Sequence, residues 1–253
     1  MIELKSLCVK YGTESVLKNA SARFQKGKLI SIVGKNGSGK TTLLSAILGS
    51  VSFSDGKILI DGRSSSSLKP KDLAKRIAYL PQGRTVPDML CGDLVLHGRF
   101  PYRSYPMPYT ANDRRIAEEA MRSLGILSLR DKPLASLSGG TRQTAYIAMA
   151  LAQDTDYILF DEPTTYLDAQ NELSLMRHLK MLSQLGRGVV AVMHDLPLAF
   201  AFSDEIALLN GGRIVMQNTP EALLRSGLIE KCLGVRLLQA ENKSYFYDTG
   251  SVI

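Results

Sequence analysis

Gly34-Lys35-Asn36-Gly37-Ser38-Gly39-Lys40-Thr41 has the glycine spacing and the closing Lys-Thr pair of a phosphate-binding loop. The motif requires a preceding strand and a following helix, and the segments 29–33 and 41–48 are predicted to be these elements. Its glycines allow backbone N–H groups to point at phosphates, while Lys40 is expected to reach the β and γ phosphates and Thr41 to bind Mg²⁺. The alternative, a simple glycine-rich turn, is disfavoured by this context.

Strands and helices are predicted to alternate along the chain, which indicates an α/β fold with a largely parallel sheet. The predicted strands are 2–11, 29–33, 57–61, 76–80, 157–161 and 188–194, and the predicted helices are 41–48, 113–124, 140–152 and 171–185. A late hairpin is predicted from 205–209 and 213–217, joined by Asn210-Gly211-Gly212. Residues 64–67 are predicted to be a polar loop.

The interval from Gln82 to Ala152 contains no predicted strand, so a helical subdomain is expected to be inserted into the sheet domain. Thr110 and Asp113 form a capping-box pattern before one of its helices, and Ser138 can cap another. The chain has no internal repeat. We therefore predict a single domain over 1–253, with a nucleotide-binding core from 1–82 and 156–253 and a helical subdomain from 83–155.

The composition is that of a globular protein, with 45% hydrophobic residues in 253. The longest uncharged apolar stretch, 145–152, is far shorter than the roughly 20 residues that span a bilayer. The first residues lack a signal-peptide pattern, so the chain is expected to remain in the cytoplasm.

Cys8, Cys91 and Cys232 are too scattered for a disulfide framework or a zinc cluster and are expected to be reduced. The net charge of +7 comes from scattered Lys and Arg and indicates no particular partner.

A second chemical signal is the apolar segment 157–160 that ends in Asp161 and Glu162. Asp161 is expected to join the Mg²⁺ shell, and Glu162 to polarise an attacking water. Alone, this pattern is more typical of an ordinary strand with solvated acids at its tip. The phosphate-binding loop in the same chain favours the catalytic interpretation.

The most specific signal is Leu137-Ser138-Gly139-Gly140-Thr141-Arg142-Gln143, which lies before the acidic strand and begins a predicted helix. By itself it could be a capped helix start with a Gly-Gly hinge. Lying between the two phosphate motifs, it resembles the signature of the ATP-binding cassette family. The resemblance implies that this signature in one subunit closes over ATP held by the phosphate loop of another.

The resemblance also implies roles for four further positions. Tyr11 would stack on adenine, Gln82 would lie near Mg²⁺, Asp168 would lie in a loop that crosses the dimer, and His194 would contact the γ phosphate. The simpler alternatives are a strand aromatic, a surface amide, a helix cap and a structural histidine, respectively. The order and spacing of the four favour the family roles, and His194 is predicted to end an apolar strand beside Asp195.

The fold that the resemblance implies is a P-loop NTPase core with an N-terminal antiparallel β subdomain and an inserted helical subdomain, using ATP and Mg²⁺. The candidate catalytic residues are Lys40, Gln82, Glu162 and His194. The candidate metal ligands are Thr41, Gln82 and Asp161. The candidate nucleotide-binding residues are Tyr11, Gly34, Lys35, Asn36, Gly37, Ser38, Gly39, Lys40, Thr41, Thr42, Ser138, Gly139, Gly140, Gln143 and Asp168.

Segments 98–102, 161–168 and 193–196 resemble the importer ATPases for ferric siderophores, haem and vitamin B12. This resemblance implies an ATP-dependent homodimer on the cytoplasmic face of the membrane, attached to a permease dimer and served indirectly by a substrate-binding protein. Residues 100–109, rich in proline and tyrosine, follow Gln82 where such ATPases meet their permease. Packing of this segment on its own subdomain is an equally good interpretation.

Three positions depart from the usual residues of that group, namely Lys35, Thr41 and Thr141. None removes a catalytic group, and Thr41 keeps the hydroxyl that Mg²⁺ needs. Lys35 and Thr141 are the departures expected to alter affinity or turnover.

Other function classes compete with transport. A cassette ATPase without a transporter, such as one for iron–sulfur cluster assembly, is the main alternative, although segment 100–109 and the Thr165-Tyr166 pair favour transport. No nucleic-acid partner is expected, because the chain has neither a large insertion nor a coiled-coil arm. Glu162 and His194 disfavour a nucleotide-binding protein without catalysis. The cargo itself contacts the permease and binding protein, so this chain does not identify it.

Overall fold

The computed structural model describes residues 1–83, 85–103, 106–165, 167–241 and 244–248. In chain order, the strands are β1 (Ile2–Tyr11), β2 (Glu14–Phe24), β3 (Leu29–Val33), β4 (Asp55–Ile60), β5 (Arg63–Ser64), β6 (Ile77–Leu80), β7 (Tyr157–Asp161), β8 (Gly188–Val192), β9 (Glu205–Asn210), β10 (Arg213–Asn218), β11 (Leu237–Gln239) and β12 (Tyr245–Tyr247). The helices are α1 (Lys40–Ile47), α2 (Pro70–Ala74), α3 (Cys91–His97), α4 (Ala111–Ser123), α5 (Gly139–Ala152), α6 (Ala169–Gln184), α7 (Leu196–Phe202), α8 (Pro220–Arg225) and α9 (Leu228–Leu233).

A six-stranded sheet with the order β10-β9-β3-β8-β7-β6 lies at the centre of the protein. Strands β9, β3, β8, β7 and β6 pair in parallel, whereas β10 pairs antiparallel with β9 and completes the predicted hairpin. Every residue of β3, β7 and β8 is buried, as expected for central strands that are covered on both faces. The prediction of an α/β fold with a largely parallel sheet is confirmed.

The carboxyl ends of the parallel strands share one edge of this sheet. The chain leaves β3, β6, β7 and β8 there and leads into the phosphate loop, Gln82, Glu162 and His194, respectively. The predicted strand 188–194 is too long, because β8 ends at Val192. His194 therefore lies in the turn between β8 and α7, at the edge where open α/β sheets bind ligands.

A second sheet, with the order β2-β1-β4-β5, is antiparallel and forms the predicted N-terminal β subdomain. Strand β2 is absent from the sequence-based prediction. Its pairing with β1 shifts register three times, and Ser6 and Asn19 have φ angles of 50° and 59°, so the apolar alternation is broken. The predicted loop at 64–67 is also wrong, since Ser64 ends β5 and Ser65–Ser67 forms a 3₁₀ turn.

The main sheet separates two apolar cores. One is shared with the helical layer and contains Phe160 and Met176; the other faces the N-terminal sheet and contains Phe24 and Tyr157. Burial of both faces fixes the strands against sliding, which holds the functional edge of the sheet in register.

The described part of 83–155 contains α3, α4 and α5 and no strand. The predicted capping box is confirmed, because Thr110 Oγ1 accepts from the Asp113 N–H at 3.1 Å and Asp113 Oδ2 accepts from the Thr110 N–H at 2.9 Å. The short helices α2, α3, α7, α8 and α9 are absent from the prediction, because five to seven residues hold too few turns for a helical period to be recognised. The division into core and helical subdomain stays a prediction.

Within the described ranges, none of the helices combines the length and apolarity that crossing a bilayer requires. Cys8, Cys91 and Cys232 are free thiols, as predicted.

Candidate active site

The phosphate loop forms a turn between β3 and α1 whose backbone requires glycine. Gly37 and Gly39 have φ angles of +75° and +103°, in the left-handed region that favours glycine. A Cβ at Gly34 would lie 2.3 Å from the Leu209 carbonyl oxygen, so a side chain does not fit there. The N-terminus of α1 has no side-chain cap, which leaves its first N–H groups for an anion.

Two polar side chains of the loop fit a phosphate. Lys40 is buried, and its Nζ donates to the carbonyl oxygens of Gly34 at 2.9 Å and Lys35 at 3.2 Å. Burial lowers the pKa of Lys40, although the charges of Glu162 and Asp161 act in the opposite direction. Ser38 Oγ is buried and has no hydrogen-bond partner within the described residues. A bound phosphate would offer acceptor oxygens to the Lys40 ammonium and to the Ser38 hydroxyl.

Asp161 lies beside the loop at the end of β7. Its Oδ1 accepts from Thr41 Oγ1 at 3.2 Å, and its Oδ2 accepts from the Tyr79 hydroxyl at 3.4 Å. Burial raises the pKa of Asp161, and the adjacent charge of Glu162 adds to this effect. A carboxylate and a hydroxyl next to a phosphate loop are hard oxygen donors, so the site fits Mg²⁺.

Glu162 contacts two residues that come from other strand ends. Gln82 Nε2 donates to Glu162 Oε2, and His194 Nε2 contacts Glu162 Oε1. Glu162 itself has a φ of 48°, which is strained for a residue other than glycine. Three candidate catalytic residues therefore meet at one point of the sheet edge.

A cleft of about 490 Å³ connects these groups. Its lining residues are Val16, Asn36, Gly37, Gly39, Lys40, Thr41, Thr42, Gln82, Glu162 and His194. Val16 is absent from the sequence-based prediction, and its only signal was its position shortly after Tyr11. Tyr11 lies at the end of β1 with about half of its surface exposed, outside this lining.

The signature residues lie apart from this cleft. Ser138 and Gly139 are exposed at the start of α5, where Ser138 Oγ accepts from the Thr141 N–H at 3.3 Å. A Cβ at Gly140 would lie 2.0 Å from Asn171 Oδ1, so a side chain at this position would displace the side chain of Asn171. Within one chain, the signature does not join the lining around Lys40.

Gln143 and Asp168 make local contacts instead of lining the cleft. Gln143 Nε2 donates to the Pro163 carbonyl at 3.3 Å. Asp168 caps α6, because its Oδ1 accepts from the Asn171 N–H at 2.8 Å. The simpler interpretation of Asp168 as a helix cap is therefore confirmed, and its role across a dimer stays a prediction. Tyr166 lies outside the described residues.

A family model described as "ABC transporter" matches residues 17–165, more than half of the chain. The chain belongs to the ABC transporter family. It is an ATP-binding subunit of this family and an ATPase, as the resemblance in its motifs predicted.

Individual relatives cover nearly the whole chain. The petrobactin import ATP-binding protein YclP of Bacillus subtilis (strain 168) is 39% identical over 91% of this chain and 92% of its own length. The ferric enterobactin transport ATP-binding protein FepC of Escherichia coli (strain K12) is 35% identical over 92% of this chain and 87% of its own. The dimeric structure of MJ0796, a bacterial ABC transporter cassette, has a TM-score of 0.73 at 29% identity and covers 87% of this chain and 99% of that one.

Proposed function

We propose that this chain hydrolyses ATP as the energising subunit of an importer for iron–siderophore cargo. The observation that carries the catalytic part is the meeting of Gln82, Glu162 and His194 at a cleft that also holds Lys40. The cargo class rests on the relatives, which are named as import or transport ATP-binding proteins for petrobactin and ferric enterobactin. Of the three cargo classes expected from the sequence, namely ferric siderophores, haem and vitamin B12, these names favour siderophores.

In this proposal the phosphate loop and Lys40 bind the β and γ phosphates, and Thr41, Asp161 and Gln82 hold Mg²⁺. Mg²⁺ supplies positive charge that offsets the charge of the phosphates. Glu162 orients a water for attack on the γ phosphorus and accepts its proton while the bond to the ADP oxygen breaks. His194 contacts the γ phosphate, and Tyr11 stacks on adenine.

The subunit acts as a pair on the cytoplasmic face of the membrane, bound to a permease dimer and served indirectly by a substrate-binding protein. Ser138, Gly139 and Gly140 of one copy complete the site of the other, which accounts for the exposure of Ser138 and Gly139 and for their absence from the lining of their own cleft. Nucleic acid has no part in this function.

Lys40→Ala is expected to weaken ATP binding at least about 100-fold, because it removes the ammonium group that would donate charge-assisted hydrogen bonds to the phosphates. Isothermal titration of the purified chain with ATP and Mg²⁺ measures this change. Lys57→Ala is the control, since Lys57 is exposed on β4 and lies outside the lining of the cleft, and it should change the affinity by no more than about threefold. Equal losses in the two variants would contradict the role of Lys40.

The segment around residues 100–107 supports the permease contact. Arg99 connects this segment to α5. Its Nη1 donates to the Ala152 carbonyl at 2.9 Å, and its guanidinium carbon lies 3.9 Å from the centre of the Tyr102 ring. Phe100 and Met107 are 62% and 68% exposed on its outer side. Tyr102 therefore packs on the helical subdomain, whereas Phe100 and Met107 present apolar side chains that a partner can cover.

Phe100→Asp and Met107→Asp are expected to lower copurification with the permease about tenfold or more each, because a charge replaces an apolar contact at an interface. The ATPase rate of the separate subunit should not change. Leu185→Asp is the control, since Leu185 is 59% exposed at the end of α6. Copurification that survives both changes would place the permease contact elsewhere.

A further inference from the structure

The C-terminal hairpin packs on the helix that follows His194. Its strands β11 and β12 pair antiparallel, from Leu237 with Tyr247 to Gln239 with Tyr245. The Tyr245 ring is buried and lies 5.3 Å from the ring of Phe200 in α7. This contact fixes the hairpin against α7, close to the sheet edge that carries the site.

The hairpin also bonds to the backbone of the turn that presents His194. The Tyr247 hydroxyl accepts from the Leu196 N–H at 3.3 Å, at the first residue of α7. Pro197 has no N–H, and the Leu198 N–H already donates to Asp195 Oδ1 at 2.7 Å. The Leu196 N–H would otherwise be an unpaired group of the helix start, so Tyr247 satisfies it from outside the helix.

The other end of the same turn is fixed to the central sheet. The Met193 N–H donates to the Ile32 carbonyl at 3.0 Å, and Met193 is buried. His194 thus lies between two backbone N–H groups that are both hydrogen-bonded. The Met193 N–H donates to β3, and the Leu196 N–H donates to the hairpin. Its own side chain is 42% exposed, and its recorded polar contact is to Glu162. Hydrogen bonds to the backbone on both sides of His194 therefore hold the turn from which the imidazole reaches Glu162.

We infer that Tyr247 is a positioning residue for His194, so that the C-terminal hairpin sets the rate of hydrolysis. This inference rests on the proposed function, in which His194 contacts the γ phosphate. Without the hydroxyl acceptor, the start of α7 is free to shift, and the imidazole no longer meets the phosphate at the distance that the reaction needs. The loss of one neutral hydrogen bond corresponds to about a fivefold decrease in kcat.

Tyr247→Phe tests the inference, because it keeps the ring and removes the acceptor. Tyr245→Phe is the matched control, since its hydroxyl belongs to the same hairpin but accepts from Gln239 Nε2 at 3.0 Å, away from the turn. In steady-state ATPase assays of the full chain, Tyr247→Phe should lower kcat about fivefold with little change in the KM for ATP. Tyr245→Phe should leave both values unchanged.

A double-mutant cycle with His194→Gln separates positioning from a general structural effect. Single-turnover hydrolysis measures the slow variants, and Tyr247→Phe should add no further loss once His194 is replaced. A loss in Tyr247→Phe that persists in the His194→Gln background would overturn the inference, as would an unchanged kcat in Tyr247→Phe alone. If His194→Gln itself keeps the normal rate, the role of His194 in the proposed function fails instead.

Discussion

Glu162→Gln is expected to lower the turnover of ATP about 1,000-fold, because an amide keeps the shape of the side chain but cannot accept a proton from water. The affinity for ATP should stay within about threefold of the unchanged protein, since Lys40 and the loop backbone, the proposed phosphate-binding groups, are intact. Phosphate release measures turnover, and isothermal titration measures binding. The combination of lost rate and kept affinity is the result that distinguishes a catalytic group from a binding group.

The structure gives a specific reason to expect this separation. Glu162 reaches the cleft from a left-handed backbone position after β7, and it contacts Gln82 and His194 rather than the phosphate loop. Replacement by glutamine removes a negative charge beside Asp161, and that change does not oppose the binding of an anionic nucleotide. Glu119→Gln, on the exposed side of α4, is the control and should have the normal rate. A rate close to normal in Glu162→Gln would move the catalytic role to another residue.

Local sequence patterns predicted the parts of the fold that bury continuous apolar runs. Strands β3, β7 and β8 are buried at every residue, so their sequences are apolar except at Ser31 and Asp161 and are bounded by polar turns. β2 could not be recognised in this way, because the bulges opposite β1 break its alternation. α7 is apolar along both faces and too short for a period, so its sequence does not distinguish a helix from a strand.

The sequence likewise predicted some features of the candidate site and not others. Lys40 and Glu162 follow buried strands and Asp161 ends one, so their shared position was predictable from the parallel sheet alone. Gln143 was predicted as a nucleotide-binding residue, but its bond to the Pro163 carbonyl joins groups from different elements and has no sequence signal. The contact of Tyr247 with Leu196 is of the same kind, since it depends on a terminal hairpin folding back on α7. Long-range contacts of single side chains are where sequence patterns stop being informative.

The assembly of two subunits is the last expected result. The purified chain without nucleotide should be a monomer of 27.7 kDa, and Glu162→Gln with ATP and Mg²⁺ should have twice that mass. The reason is that, in the proposed arrangement, ATP bound at Lys40 would present its γ phosphate to the exposed N-terminus of α5 on a second copy. Glu162→Gln holds this state because it does not hydrolyse the shared anion.

Adding Ser138→Arg to Glu162→Gln should abolish the dimer, because a long cationic side chain would fill the space between the signature and the phosphate. Ser138 is exposed and lies outside the cleft of its own chain, so the affinity of the monomer for ATP should be kept. Ser123→Arg, the same change at an exposed serine at the end of α4, is the control and should still dimerise. Light scattering coupled to size exclusion measures the mass in each case. A dimer that persists in the Ser138→Arg variant would show that the signature does not complete the partner's site, and an ATP-driven closure of two subunits could then not be the step that moves the permease.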